Sequence, residues 1–392
     1  MPDDISIRPS LLIVSDTAIW RKGDDHLPYE PVVRELESIG NLFSRITWIG
    51  FDYGNIDKPV SARAVNGLTV NYILLKRVGG DTLWSKLVIL FSLPSFLIQI
   101  LNAIKSHDVI HSRGPSVPAL ISIVISFFKR DKIFWHKYAG NWIEEGSPYM
   151  YRLQRKLLVK ADRSHVTVNG AFNNPPHILN FLNPCIYKKD YEASADAIGL
   201  KNFNSKVRIC FVGNLARFKG VDLILDAVNR IADSTRLIEE VIIVGDGEAR
   251  AELEYQAKSL HVPVTFKGYL KRQELDAIYR SSHLNILPSS SEGFPKVIAE
   301  GGIFGCCPIV SNLSSIGQVI HHQQNGLLLS EITADAVSDS IQFYLTLDPE
   351  KRFQLAQNIR LTSLQFSYED FRERIRHEIL KVDDVNDTFQ IK

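Results

Sequence analysis

Short apolar runs alternate with helix-length segments along the first half of the chain. These runs are four to seven residues long and read LLIV (11–14), RITWIGF (45–51), VNYILLK (70–76), DVIH (108–111) and KIFWHKY (132–138). Such alternation is typical of βαβ units whose parallel sheet is buried on both faces. The pattern predicts one Rossmann-like domain, which we place at residues 1–190.

The alternation fades around residues 183–206, where small and polar residues predominate, and then restarts. The later runs read VRICFVGN (207–214), EEVIIVGDG (239–247), VTFKGYL (264–270), HLNILPSS (283–290) and PIVSN (308–312). They predict a second Rossmann-like domain at 191–365. Ligands of such sheets bind outside the carboxyl ends of the strands, so two facing domains imply a site in the cleft between them.

The end of the chain has helical periodicity. We expect SYEDFRERIRHEILKV (367–382) to form a helix that crosses back onto the first domain, within a third segment at 366–392. The last ten residues, DDVNDTFQIK, are expected to be a loose tail.

Two segments of the first domain are strongly apolar, LVILFSLPSFLIQIL (87–101) and PALISIVISFFKR (118–130). The first is interrupted by Pro94 and is shorter than the roughly 20 residues that a membrane span needs. Both segments fit helices buried against the sheet, and both fit a peripheral contact with a membrane. The two interpretations stay open at this point.

Composition narrows the classes of partner. The chain has 392 residues, too many for one ordinary core, and its 45 basic and 44 acidic residues give a formal net charge of +1. No global field draws it to nucleic acid. The four cysteines show no metal-ligand spacing, and the adjacent pair Cys306 and Cys307 would be strained as a disulfide. With an acidic, polar N-terminus, this predicts a cytoplasmic protein without a bound metal.

Two loops have the residue types that bind anions. VGNLARFKGVD (212–222) follows a strand and precedes a helix, so Gly213, Arg217 and Lys219 fit a phosphate site, although an ordinary loop with solvated charges fits equally well. VGDGEAR (244–250) has Arg250 where a dinucleotide fingerprint needs its third glycine. This argues against a dehydrogenase and leaves Gly245 as part of a loop that lines the cleft.

The stretch SSSEGFPKVIAEGG (289–302) places two carboxylates beside a predicted helix start. Pro295 suits the first helical position, and Gly293 and Phe294 would then offer backbone amides to a diphosphate. A carboxylate accepts hydrogen bonds from hydroxyls, so Glu300 suits a ribose and Glu292 a sugar. The alternative is an acid at a helix N-terminus together with a solvated glutamate.

The motifs GNLARFKG, VGDG, PSSSEGFPKVIAE and QNGLLL occur in this order between residues 212 and 329. Together they resemble the C-terminal domain of family 4 glycosyltransferases, which are retaining enzymes of the GT-B fold. The resemblance implies an α/β protein with two facing Rossmann-like domains and a cleft between them. It is looser over the first domain.

Carried over position by position, the resemblance implies that Lys219 binds the donor diphosphate, Glu300 the ribose, and Glu292 the region of the transferred sugar. The full implied donor site is Gly213, Asn214, Arg217, Lys219, Gly245, Gly268, Tyr269, Glu292, Gly293, Phe294, Pro295 and Glu300. Gly268 and Tyr269 would line the base pocket. The family usually has an arginine where this chain has Asn214, and Arg217 is the candidate to supply that charge.

In the first domain the resemblance implies a glycine loop and a histidine near the sugar. Gly23 is the candidate for the loop, and His136 for the catalytic histidine beside Glu292 and Lys219. The register also allows Tyr138, Gly140 or Asn141, and His111 is a rival at the end of another strand. We assign Gly23, His111 and Asn141 to the acceptor side.

These observations predict a retaining glycosyltransferase that moves a sugar from a UDP- or GDP-linked donor to a hydroxyl of a glycan or lipid-linked acceptor, in cell-envelope or exopolysaccharide synthesis. No further cofactor is expected, and the protein could lie peripherally at the inner face of the membrane. The resemblance implies same-face attack, in which the leaving diphosphate would accept the acceptor's proton. The alternatives are a nucleotide-sugar epimerase of the same fold and a non-catalytic module that binds the nucleotide sugar.

Overall fold

The computed structural model describes residues 8–56, 61–80, 82–143, 146–231 and 236–382, so the tail predicted at 383–392 lies outside the described residues. The chain divides into two compact units. The first comprises the chain up to Leu182 together with the segment from Tyr368 onward, and the second comprises Asn183–Ser367.

The first unit is built on one sheet. Its strands are β1 (Ser10–Lys22), β2 (Asp25–Pro28), β3 (Arg45–Asn55), β4 (Val70–Lys76), β5 (Val109–Gly114), β6 (Ile133–Tyr138), β7 (His165–Asn169) and β8 (Ile178–Phe181). Seven strands are parallel in the order β4-β3-β1-β5-β6-β7-β8, and β2 forms an antiparallel hairpin with β1. The accompanying helices are α1 (Glu30–Ile39), α2 (Leu83–Lys105), α3 (Val117–Ser126) and α4 (Tyr149–Lys160).

Both faces of this sheet are covered, which explains its continuous apolar runs. Alternate side chains of a strand point to opposite faces. Leu11 and Ile13 of β1 pack in the same cluster as Leu36 of α1. Leu12 of β1 packs on the other face, in the same cluster as Ile104 of α2. A strand that is buried on both sides therefore has no polar face.

Helix α2 is only partly buried, in contrast to α3. In its second half Phe96, Ile100 and Ile104 belong to the core, whereas none of residues 84–95 is fully buried. By length and composition alone, Trp84–Lys105 could cross a membrane. Packing against the sheet therefore explains why the second half of α2 is apolar, but it does not explain the apolar residues of the first half.

The second unit is an open parallel sheet with helices between its strands. Its strands, in the order β11-β10-β9-β12-β13-β14, are β9 (Val207–Val212), β10 (Ile238–Val244), β11 (Val264–Gly268), β12 (Leu284–Leu287), β13 (Cys307–Ser311) and β14 (Leu327–Leu329). Its helices are α5 (Lys188–Ala193), α6 (Ala197–Leu200), α7 (Val221–Arg230), α8 (Arg250–Ala257), α9 (Arg272–Ser281), α10 (Lys296–Gly302), α11 (Ile316–Val319), α12 (Ala334–Thr346) and α13 (Pro349–Ser363). The predicted α/β class with two Rossmann-like domains is confirmed.

The boundaries between the units differ from the predicted ones. The first lies between Leu182 and Asn183 rather than at 190, because Cys185 and Ile186 donate their backbone N–H groups to the carbonyl of Phe366, at 3.0 and 3.3 Å. These bonds fix residues 183–190 to the second unit. The second boundary follows Ser367, two residues later than predicted.

The C-terminal helix α14 (Tyr368–Arg374), extended by a π-helical turn at Ile375–Ile379, packs in the first unit, where the sequence predicted it. Phe371 and Ile375 are buried in the cluster that contains Leu11. The ring of Phe371 meets that of Phe181 edge to face, with centroids 5.9 Å apart. The chain therefore completes the core of its first unit with its last helix.

Candidate functional site

The motif residues of the second unit lie at the carboxyl ends of neighbouring strands. Gly213 follows β9, Gly245 follows β10, Gly268 ends β11, and the loop 288–292 follows β12. Parallel strands end at one edge of the sheet, so these segments converge there. The chain leaves β9 toward β10 on one side and returns with β12 on the other. This reversal is the switch point where open α/β sheets bind ligands.

A lysine and a glutamate join the two loops at this switch point. Lys219 ends a 3-10 turn after β9, and its Nζ forms an ion pair with Oε1 of Glu292 in the loop after β12. The two side chains are 18% and 12% exposed, respectively. An ammonium group has three donors and a carboxylate only acceptors. The pair therefore offers a ligand one cation and one acceptor, side by side.

The backbone holds these two loops together. The N–H of Ser290 donates to the carbonyl oxygen of Phe218 at 2.8 Å. Gly220 has φ +70°, and a Cβ there would lie 2.6 Å from the carbonyl oxygen of Pro288. Only glycine accommodates both the left-handed conformation and this close approach. The positions of Lys219 and Glu292 are thus set by main-chain contacts.

The ends of β9, β10 and β11 are packed backbone against backbone. The N–H of Gly213 donates to Val244 at 3.0 Å, and that of Gly245 donates to Gly268 at 2.8 Å. Gly245 has φ +133°, and a Cβ there would overlap the carbonyl oxygen of Gly213. Gly268 also has a positive φ, +65°. The strand ends therefore present a surface made largely of main chain.

Asn214 and Arg217 do not join the ion pair. The Oδ1 of Asn214 lies 2.6 Å from the position that a Cβ on Gly247 would occupy. The side chain of Arg217 is 77% exposed and pairs with Glu252 of α8 at 2.8 Å. The structure does not support Arg217 as the substitute for the family's loop arginine, because its guanidinium is held by another helix.

The start of α10 differs from the prediction in one position. Pro295 is the N-cap and the helix begins at Lys296, since Pro295 has ψ 119°, outside the helical range. Gly293 accepts a hydrogen bond from the Ser315 hydroxyl at 3.2 Å. The ring of Phe294 is buried and stacks on Phe366 with centroids 4.5 Å apart. Because its ring is buried, Phe294 can offer a ligand only its backbone, and the predicted contact of that backbone with a diphosphate stays a prediction.

Glu300 lies beside the first residue of α9. Its Oε1 accepts from Arg272 at 2.9 Å, and the same guanidinium donates to the carbonyl of Cys185 at 3.0 Å. Arg272 follows Gly268 by four residues, so Glu300 lies close to the end of β11, and Tyr269 beside it is half exposed. Sequence reasoning did not single out Arg272.

The two histidines proposed for the first unit belong to its core. His111 is buried and stacks on Trp135 with centroids 3.6 Å apart, and burial lowers its pKa well below the ordinary value. His136 is buried, with its Nδ1 2.6 Å from the Ser112 hydroxyl. Neither reaches the edge of the sheet, because β5 and β6 continue beyond them. Their burial within the strands argues against the assignment of His136 to catalysis and of His111 to the acceptor side, which stays a prediction.

The remaining first-unit candidates lie in turns and loops. Gly23 forms the turn between β1 and β2, with φ +60°. Asn141 follows β6, and its Oδ1 accepts from the N–H of Ile143 at 3.1 Å. Tyr138 is buried, and a Cβ on Gly140 would lie 3.3 Å from its ring. Of the alternatives for the sugar-facing position, Asn141 is the side chain that follows a strand end.

A buried charged cluster in the first unit was not predicted. Glu35 of α1 accepts from Arg113 of β5 at 2.6 Å and from Lys137 of β6 at 2.8 Å. All three side chains are largely buried. A buried carboxylate between two cations satisfies groups that would be costly to leave alone. The contacts with Glu35 allow the charged residues Arg113 and Lys137 to lie within buried strands.

Burial of His136 predicts an acid-sensitive fold. Desolvation lowers its pKa to about 3, whereas the unfolded chain has the ordinary value of 6.5. Below pH 6.5 only the unfolded state binds this proton. The free energy of unfolding therefore decreases by about 1.4 kcal/mol for each unit by which the pH is lowered. Asparagine at position 136 can keep the hydrogen bond to Ser112 but does not titrate. Between pH 6 and 4, His136→Asn is therefore expected to reduce the slope of the free energy of unfolding against pH by about that amount. Urea unfolding across this range measures it, and an unchanged slope would contradict the buried, neutral histidine.

The fold and its strand-end site define a class, that of proteins with two parallel α/β units and a ligand site at a switch point. The model of the family described as "Glycosyl transferases group 1" matches residues 196–362, nearly all of the second unit. The second unit of the chain is therefore similar to group 1 glycosyltransferases.

Relatives and solved structures are similar to the chain as well. An N-acetylgalactosaminyltransferase of Campylobacter jejuni that is named as acting on a diNAcBac-PP-undecaprenol glycan is 28% identical over 193 residues, 49% of this chain and 51% of the relative. The chain thus aligns with about half the length of this curated relative. A glycosyltransferase of Rickettsia africae superposes with a TM-score of 0.65 at 15% identity, covering 96% of this chain and 100% of the other. HepE of Anabaena, in complex with UDP, gives 0.67 at 15% identity, with coverage of 95% and 100%. At such identity these likenesses show the GT-B fold alone.

Proposed function

We propose that this chain is a retaining glycosyltransferase that moves a sugar from a nucleotide diphosphate sugar to an acceptor hydroxyl. The observation that carries the proposal is the ion pair of Lys219 and Glu292 at the switch point of the second sheet. The match of residues 196–362 to the group 1 glycosyltransferase model and the UDP bound by the Anabaena neighbour support a nucleotide-linked donor.

The two side chains suit the two groups that the breaking bond joins, the diphosphate and the sugar. Cleavage of the bond between sugar and diphosphate leaves negative charge on the diphosphate. Lys219 is a cation with little exposure to water, and such a positioned charge stabilises the departing group strongly. Glu292 then accepts a hydrogen bond from a sugar hydroxyl or faces the positive charge that develops on the sugar. Both functions need the two side chains close together, as the ion pair holds them.

Retention of configuration is proposed to follow same-face attack. The acceptor oxygen bonds to the anomeric carbon on the side from which the diphosphate departs, and the departing phosphate oxygen takes the acceptor's proton. Lys219 stabilises the phosphate while this occurs. Proton NMR of the product tests the stereochemistry: the anomeric coupling of the transferred sugar should match that of the donor, and an inverted anomer would contradict the proposal.

The nucleoside is proposed to lie toward β11. Gly268 and the half-exposed Tyr269 offer a platform for a base, and Glu300 beside them offers acceptor oxygens for ribose. UDP and GDP remain the two candidate carriers. The undecaprenol-linked substrate in the name of the Campylobacter relative supports a glycan or lipid-linked acceptor in envelope polysaccharide synthesis. The four cysteines are buried and not in disulfides, which supports a cytoplasmic location.

A nucleotide screen tests the donor site directly. The matching nucleoside diphosphate among UDP, GDP and ADP should stabilise the protein by about 2.7 kcal/mol at 100 times its Kd, because it binds only the folded state. Differential scanning fluorimetry measures this as a rise in Tm. Glu300→Gln should weaken the response, with Glu331→Gln, which lies outside the site, as the matched control. No response to any nucleotide would contradict the donor site.

Incubation of the donor alone separates transfer from epimerisation. A transferase releases sugar to an acceptor and leaves the donor's sugar unchanged in configuration, whereas an epimerase converts the donor without an acceptor. Binding without either reaction would identify a non-catalytic module.

A further inference from the structure

The guanidinium group of Arg272 joins three acceptors of the second unit. Its Nη1 donates to Oε1 of Glu300 at 2.9 Å and to the carbonyl oxygen of Cys185 at 3.0 Å. Its Nη2 lies 3.5 Å from Oδ2 of Asp190, within the range of an ion pair. A guanidinium is a rigid, planar fork of N–H donors, so it holds several acceptors in one geometry. Arg272 is therefore a fixed partner of Glu300.

The backbone that carries Glu300 is held by close packing. Glu300 lies in α10, immediately before two glycines. A Cβ on Gly301 would lie 3.1 Å from the ring of Tyr279 in α9, and a Cβ on Gly302 would overlap the hydroxyl of Ser363 in α13. Helix α10 therefore has little room to shift against these two helices. The direction of the long Glu300 side chain then depends on the groups that hold its carboxylate.

Carboxylates of like charge lie close to Glu300. Asp276 follows Arg272 by one turn of α9, and Asp190 lies in α5. Burial raises the pKa of Asp276, and the nearby cations Arg272 and Arg280 lower it. The carboxylates of Asp190 and Glu300 raise that pKa as well, so like charges face this part of α9. Because Arg272 contacts both Glu300 and Asp190, it offsets a repulsion that would turn the Glu300 carboxylate away.

We propose that Arg272 is a positioning residue that fixes the Glu300 carboxylate for the ribose of the donor, so that the site selects nucleotides with ribose hydroxyls. The inference rests on the donor site proposed above. A carboxylate can accept about four hydrogen bonds, so Glu300 can accept from Arg272 and from hydroxyls at once. A carboxylate that is already held in place loses little side-chain entropy when the nucleotide binds. Arg272 thus acts on the ribose through Glu300.

Calorimetric titration of the full chain with nucleotides that differ only in their ribose tests the proposal. The probes are UDP, GDP and ADP, and the 2′,3′-dideoxy form of whichever binds the wild type most tightly. The wild type should bind the ribose form about thirtyfold more tightly, because the dideoxy form lacks the hydroxyls that donate to a charged acceptor. Arg272→Met removes the charge and the donors, and it should reduce this preference to about threefold or less.

Arg280→Met is the matched control. Arg280 lies near the other end of α9 and donates to Oδ1 of Asp196 at 2.9 Å and to the carbonyl oxygen of Ala193 at 2.8 Å. Both arginines therefore tie α9 to the chain segment 185–196, and in the described part of the chain only Arg272 of the two also bonds to Glu300. General loosening of α9 would affect both variants. Arg280→Met should leave the ribose preference within about twofold of the wild type.

A double-mutant cycle tests whether Arg272 acts through Glu300. Adding Arg272→Met to Glu300→Gln should change the ribose preference by no more than about twofold. This comparison leaves no unpaired carboxylate, so it also decides the case in which Arg272→Met alone fails to fold. A wild-type preference in Arg272→Met, an equal loss in Arg280→Met, or a further loss in the double variant would overturn the inference. Failure of all three nucleotides to bind the wild type would instead contradict the donor site itself.

Discussion

Replacement of Lys219 by methionine is expected to lower the rate of sugar transfer about 100- to 1000-fold. Methionine keeps most of the length of the side chain but removes the only charge in the ion pair that can stabilise the departing diphosphate. The 3-10 turn is held by main-chain bonds, including that of Phe218 to Ser290, so the loop should keep its shape. Transfer is measured as nucleoside diphosphate released at saturating donor.

The matched control is Arg217→Met, two residues earlier in the same turn. Arg217 is exposed and pairs with Glu252, and such surface pairs contribute little. We expect a change in transfer of less than about threefold. If both variants lost activity equally, general damage to the turn would be the cause. If Lys219→Met kept the wild-type rate, Lys219 would not act on the diphosphate.

The substitution Glu292→Gln distinguishes two effects of Lys219→Met, the unpaired carboxylate that it leaves behind and the loss of the cation that acts on the diphosphate. Lys219→Met leaves a half-buried carboxylate without its cation, which costs stability. The double variant Lys219→Met with Glu292→Gln removes that unpaired charge. We expect the double variant to regain stability but not activity, because the two residues act on one reaction and their effects do not add. Recovery of activity would mean that the unpaired charge, rather than the lost cation, had slowed transfer.

The strands that the sequence predicted best are those buried on both faces. The runs that became β1, β3, β9 and β10 contain few polar residues, so they stand out as short continuous apolar segments. Strands β7 and β8 were not predicted, because HVTVN and ILNF are short and include polar positions. Such runs resemble loops until the neighbouring strand supplies their hydrogen bonds.

The glycines of the candidate site were predicted to follow strands, and the structure has them at strand ends. Gly213, Gly245 and Gly268 lie at the ends of three consecutive strands, and Gly245 and Gly268 have the positive φ that favours glycine. The ion pair of Lys219 and Glu292 joins loops 73 positions apart. The motifs placed both residues in the site, but their pairing depends on the sheet order.

His111 and His136 do not end their strands, because β5 and β6 continue beyond them through polar residues. The polar residues Ser112 and Arg113 look like a loop after His111, yet β5 continues to Gly114. Ser112 is buried with His136, and Arg113 is neutralised by Glu35 of α1. These partners are distant in sequence, so a prediction made from polarity alone ends the strand too early. Arg272 could not be predicted for the same reason: only its contact with Glu300, which is distant in sequence, marks it as part of the site.

Replacement of Gly245 by alanine is expected to destabilise the second unit by about 3 kcal/mol or more. At φ +133° a side chain is strained, and the new Cβ would overlap the carbonyl oxygen of Gly213. Gly213 cannot retreat without breaking its bond to Val244, and Gly245 is itself bonded to Gly268. The strand ends must therefore separate, and this should also weaken nucleotide binding.

Gly199→Ala provides the control for this substitution. Gly199 lies in α6 with no heavy atom within 4 Å of a new Cβ, and its φ lies outside the positive range. Alanine there should raise stability by up to about 1 kcal/mol, because it restricts the unfolded chain and favours the helix. Urea unfolding and nucleotide titration of both variants compare a glycine required by the site with one that is not. If Gly245→Ala unfolded and bound nucleotide as the wild type does, the close packing of β9, β10 and β11 ends would not be what shapes the donor site.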